Sequence, residues 1–144
     1  MKENLQQRDL QKADSPTEPI LTIQVECGEP SCIVGYKMDI VMIPFTAVAS
    51  GRFFTGKTVG TGVDTQKIAK DGEAFLSARY MLEGEDFSGN KCHVFIENQG
   101  NARDGYKPML VTDSPVLKDW ECAEYLSEIE PAAGGVIIRI FREG

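Results

Sequence analysis

One histidine and four cysteines are all that the 144 residues supply of the softer metal-binding and nucleophilic side chains. Cys27 and Cys32 are separated by four residues, wider than the two-residue gap of paired zinc ligands, and no second pair follows, so no structural metal is expected. Cys92 and His93 are adjacent, and adjacent residues of a strand point to opposite faces, which removes that pair as a catalytic dyad. Cys122 with His93 stays open. Basic residues are also short: 15 Lys and Arg stand against 22 Asp and Glu, a net charge of −7. That balance argues against binding to the nucleic-acid backbone, which needs Lys and Arg to neutralise phosphates. No apolar run approaches the ~20 residues that cross a bilayer. The start of the chain, MKENLQQRDLQKADSPTE, has no apolar core of the kind a secretory signal requires. These absences give the expectations of a cytoplasmic protein with free thiols, no membrane partner, and no bound cofactor or metal. Residues 1–18 read as a flexible polar arm and residues 19–144 as a single domain. A chain of this size can bury about two-thirds of its unfolded surface.

What is present is mostly strand. Ile20–Cys27 alternates, with Leu21, Ile23, Val25 and Cys27 on one face and Thr22, Gln24 and Glu26 on the other. Asp39–Val48 is β-branched and apolar around Pro44, which predicts an edge, bulge or break there. Ser50–Val63 carries four glycines and reads as tight corners. Phe75–Leu82 and Cys92–Asn98 form two further strands, and the acidic, turn-forming EGEDFSGNK between them predicts a hairpin. Met109–Thr112 and Val136–Phe141 complete the strands. One helix is expected after Asp113-Ser114-Pro115, an N-cap followed by proline in the first turn, with Leu117, Trp120, Ala123 and Leu126 as its apolar stripe. Short strands, glycine-rich turns and one late helix predict a mainly β protein. The architecture is a single antiparallel barrel, with the C-terminal helix packed on it or capping it.

The order of several short motifs resembles a known family. Gly51-Arg52-Phe53, Gly60-Thr61-Gly62-Val63-Asp64, Asp71-Gly72 and Leu76-Ser77-Ala78-Arg79-Tyr80 are followed by Asn98-Gln99-Gly100, Thr112-Asp113 and the final VIIRIF. Together they are similar to the bacterial and fungal family called domain of unknown function 3237, over roughly Ile20 to Arg142. Thr65 and Phe87-Ser88 depart from the pattern. The resemblance implies a calycin-like antiparallel barrel and no established activity.

Within the hairpin, Phe75, Ser77, Arg79 and Met81 share one face with His93, Phe95 and Glu97 of the facing strand in a symmetric register. One reading places Arg79, His93 and Glu97 at a barrel mouth, with Arg79 orienting an anionic group and Glu97 as general base. The other makes them an exposed ion-paired surface. Periodicity favours the second, because LAYL against CVIN is the more apolar face. An alternative register sets Arg79 opposite Asn98. Asp64, after the glycine corner, is the third catalytic candidate, against the reading that it caps its own turn. Tyr80, His93, Asn98 and Arg139 are candidates for ligand binding. Arg139 reads either as an inward cation or as a stem lying along the barrel wall.

Three functions fit this pattern. The first is a binding protein that holds a small organic molecule in the barrel interior. The second is an enzyme doing acid–base chemistry, of isomerase, cyclase or hydrolase type, on a cyclic or aromatic substrate. The third is a protein-interaction module whose barrel is filled and whose exposed surface pairs with partners, with an edge around Asp39–Val48. A homo-oligomer is left open.

Overall fold

The computed structural model describes residues 18–143, so the expected arm lies, but for Glu18, outside the described residues. Over these residues the chain forms ten strands. They are β1 (Leu21–Cys27), β2 (Ser31–Val34), β3 (Met38–Ser50), β4 (Phe54–Thr58), β5 (Gly62–Ala69), β6 (Ala74–Asp86), β7 (Lys91–Asn101), β8 (Gly105–Thr112), β9 (Glu124–Ala132) and β10 (Gly135–Glu143). The period-two pattern dictates their orientation. Leu21, Ile23 and Val25 of β1 are buried while Gln24 and Glu26 are exposed, and Cys92, Val94, Ile96 and Asn98 of β7 alternate with more exposed neighbours. Each aliphatic side chain so withdrawn from water contributes about 1.5–3 kcal/mol.

The sheet closes into an antiparallel barrel. From β1 the order runs through β10, β9, β8, β7 and β6, and β3 returns to pair with β1. Between β6 and β3, the short β4 and the longer β5 lie end to end and share one position. Eight positions therefore complete the ring, with β2 outside it as an extension along β3 beyond the end of β1. β3 runs unbroken through Pro44, which pairs with Val63. Both edges of β3 are occupied, so the edge expected around Asp39–Val48 is not free; the outer edge of the exposed β2 has no partner among the described residues.

The expected C-terminal helix does not form. In its place stands a 3₁₀ turn, Lys118–Glu121, and β9 takes Leu126. The spacing of Leu117, Trp120 and Ala123 is three throughout, which suits a 3₁₀ turn with its three residues per turn as well as it suits a helix. Backbone bonds of that kind are present: Leu117 N to Ser114 O at 3.2 Å, Trp120 N to Leu117 O at 2.8 Å and Cys122 N to Asp119 O at 3.1 Å. Tyr125, Ser127 and Ile129 then alternate as a strand. Leu117, Trp120 and Tyr125 are buried and join the core, where the Tyr125 hydroxyl donates to Trp120 O at 2.8 Å. This segment links the end of β8 to the start of β9 and closes that end of the barrel. Alongside it the buried Asp86 accepts from the Ser114 hydroxyl at 2.6 Å and from the backbone N–H groups of Ser88 and Asn90.

Candidate functional site

At the opposite end the interior is hollow. A cavity of about 190 Å³ is lined from all eight positions of the ring, with Tyr106 from the start of β8 and Ile129 from late in β9. Val25, Ile43, Phe45, Leu76, Ala78, Val136 and Ile138 make its wall apolar, and Cys27, Asp64, Gln66 and Asn98 supply polar groups.

Asp64 reaches this cavity through local backbone geometry. Gly60 takes a positive φ of 66°, turning the chain into β5. Gly62 then lets two aromatic rings close over it, because a Cβ there would meet Tyr80 Cβ at 2.6 Å and Phe45 Cζ at 2.7 Å. The rings themselves meet edge-on, with centroids 5.2 Å apart. Two residues on, Asp64 points to the same face, between Ile43 of β3 and Ala78 of β6. Its Oδ2 accepts from Gln66 Nε2 at 3.0 Å, while Oδ1 is buried without a partner among the described residues. Burial raises its pKa above the ordinary aspartate value, and the Gln66 hydrogen bond offsets part of that. The hydroxyl of Tyr80, two residues from Ala78 along β6, is likewise buried with no partner among the described residues, and burial holds it well above the usual phenol range. Burial and the nearby Asp64 raise the Cys27 thiol. Asn98 is tied to Ser127 of β9, donating to its hydroxyl at 3.0 Å and accepting from it at 3.2 Å.

The outer face holds the remaining candidates, because the LAYL and CVIN faces turn inward. Arg79 pairs across the ladder with Glu97, Nε to Oε2 at 3.8 Å, and the alternative register with Asn98 does not occur. His93 lies opposite Glu83, two rows from Arg79. Its Nδ1 is 2.8 Å from Asp113 Oδ2, and its backbone N–H donates to Asp113 Oδ1 at 2.7 Å. The Asp113 hydrogen bond raises the His93 pKa, and the bonds from His93 lower that of Asp113. Arg139 also faces outward and donates to Glu130 at 2.6 Å. Of the seven candidates read from the sequence, the structure thus brings Asp64 and Asn98 to the cavity and Tyr80 into the core beside it. Gln66, Cys27 and Tyr106 were missed. Gln66 shares parity with Asp64, a signal hidden by the glycines just before β5. Among the described residues no group of three or more His, Cys, Asp and Glu stands together to hold a metal ion, and no helix is long and apolar enough to cross a membrane.

The family described as "Protein of unknown function (DUF3237)" matches residues 15–114. A UPF0311 protein of Clostridium acetobutylicum is 32% identical over 88 residues, 58% of this chain and 52% of the relative. The chain thus spans about half the length of that curated relative. Among solved structures, a protein of unknown function from Clostridium acetobutylicum has a TM-score of 0.74 at 23% identity, covering 88% of this chain and 95% of that one. An enzyme from Penicillium herquei has a TM-score of 0.70 at 12% identity, covering 88% and 92%. Likeness at these identities establishes the fold alone.

Proposed function

The chain belongs to the DUF3237 family of proteins of unknown function, and from its hollow barrel we propose that it binds a small organic molecule in the interior. One observation carries this reading. Asp64 Oδ1, one of the two buried side-chain polar atoms that lack a partner among the described residues, belongs to a residue lining the cavity, and the other, Tyr80 Oη, lies in the core beside it. An orphaned buried group costs about 1–3 kcal/mol, and a ligand bringing the missing partner recovers that cost. An apolar cavity of about 150 Å³ accepts benzene, so about 190 Å³ suits one ring with a substituent. A panel of single-ring compounds should include one that saturably raises the thermal midpoint and shifts the amide resonances of Ala78, Asn98 and Ile129. Shifts confined to the outer face, or none, would overturn the reading.

A second reading makes the same site catalytic, doing acid–base chemistry on a cyclic or aromatic substrate. Its support is the raised pKa of Asp64, which brings a buried carboxyl nearer to exchanging protons at working pH. The Penicillium herquei enzyme is an instance of catalysis on this fold. In this version Asp64 is the acid–base group, while the outward Arg79 and Glu97 take no part. The third reading, an interaction module with a filled barrel, has the cavity against it.

A further inference from the structure

We propose, resting on the cavity as a ligand site, that its ligand is a compact apolar amine, a single ring carrying one ammonium group whose N–H donates to Asp64 Oδ1. Two of the polar side chains that line the cavity, Gln66 and Asn98, already bond within the protein. Gln66 Nε2 donates to Asp64 Oδ2, and the Asn98 amide bonds with the Ser127 hydroxyl, which also reaches Tyr106 O at 3.3 Å. Asp64 Oδ1 is left as a buried acceptor with no donor on it among the described residues, and a donor on the ligand satisfies it.

Charge narrows the class further. Among the described residues no Lys, Arg or His lines the cavity, so none of them sets a cation beside the Asp64 carboxylate there. A buried charge is costly unless paired, and a neutral hydroxyl would supply the hydrogen bond without the charge. A ligand carboxylate would set two anions together in a low dielectric and be rejected. Burial and the nearby Asp64 push the Cys27 thiol further from ionisation. The net charge of −7 also raises the local concentration of cations around the whole molecule.

The test uses the full chain and three probes of one shape: cyclohexylamine, cyclohexanol and cyclohexanecarboxylate, titrated by calorimetry and amide NMR at neutral pH. The amine should bind at least about tenfold tighter than the alcohol, about 1.4 kcal/mol, and the carboxylate weakest. Asp64→Asn should remove the amine's advantage while alcohol binding stays within a few-fold. If the alcohol equals or exceeds the amine, or Asp64→Asn leaves the advantage intact, the amine assignment is wrong and the cavity reading survives. If the amine's shifts fall on the acidic outer surface, it is also wrong, because the contact is then a surface ion pair. If none of the three binds to wild type or Asp64→Asn, this assignment falls, and the cavity reading falls with it when the wider panel fails too.

Discussion

Asp64 and Asp86 are two carboxylates withdrawn from water at opposite ends of one barrel, and their surroundings push them in opposite directions. Asp86 accepts from a serine hydroxyl and two backbone N–H groups, which stabilise its charge and lower its pKa. Asp64 accepts from one glutamine, and burial dominates. The consequences for stability follow from linkage. Asp64 has a folded pKa above its unfolded value near 3.8. Its contribution is therefore fully present below that value and is lost as pH rises through the folded pKa. The other titratable groups around it are Cys27 on β1, Tyr80 on β6 and Tyr106 on β8. Asp64→Asn should then gain on wild type as pH rises from acid to neutral. For Asp86 the stabilisation is present above the unfolded value and lost as pH falls through the lowered one, so Asp86→Asn should fall furthest behind at neutral pH. Urea midpoints of the three proteins across this range measure both trends. An Asp64→Asn difference that does not change with pH would mean that its carboxyl is not desolvated in the fold.

Strand pairing is uneven around the ring, and that unevenness predicts where it opens. β6 and β7 pair without a break from Leu76↔Gly100 to Glu85↔Lys91, whereas β8 and β9 meet at the single pair Tyr106↔Ser127. Pro108 in β8 has no N–H to give a ladder, a residue suited to an edge strand. The gap is closed by side chains instead, with Asn98 bound to Ser127 and with Leu117, Trp120 and Tyr125 packed into the end. Amides of β8 and β9 should exchange hydrogen well before those of β6 and β7. Trp120→Ala should cost about 3–5 kcal/mol and advance exchange along this seam first. Uniform loss of protection around the ring would show that the seam is no weaker than the rest. The same elements mark what could be read beforehand. β1, β6 and β7 announce themselves by alternation, as does the inward face of the β6–β7 hairpin, and β10 by its apolar β-branched run. The segment after Asp113 does not, because a spacing of three is shared by helix and 3₁₀ turn. β5 was hidden by the glycines at its start, which serve a corner at Gly60 and close packing at Gly62. Asp64 was therefore legible as a candidate, while its partner Gln66 was not.

At the scale of the molecule, closure of the ring leaves one end plugged and the other hollow, and neighbours at 12% and 23% identity share the barrel without fixing what fills it. Hollow and solid interiors differ in how they answer added volume. Ala78 lies opposite Asp64 and lines the cavity. Ala78→Leu adds three carbons to the wall. In a filled core that would cost about 1–3 kcal/mol, but in empty space each buried carbon contributes about 0.8 kcal/mol of stabilisation. Gly84 supplies the contrast, because a Cβ there would lie 1.8 Å from the Thr55 carbonyl oxygen, where backbone has no room to yield. Gly84→Ala should therefore lower the midpoint strongly or abolish folding. Ala78→Leu should hold or raise the midpoint, with each kcal/mol worth about 2–4 °C, and should abolish binding of whichever single-ring compound the wild type accepts. A fall in the Ala78→Leu midpoint of the size expected for overpacking would mean that the interior is already occupied by protein, and the barrel would then have no room for a ligand of any class.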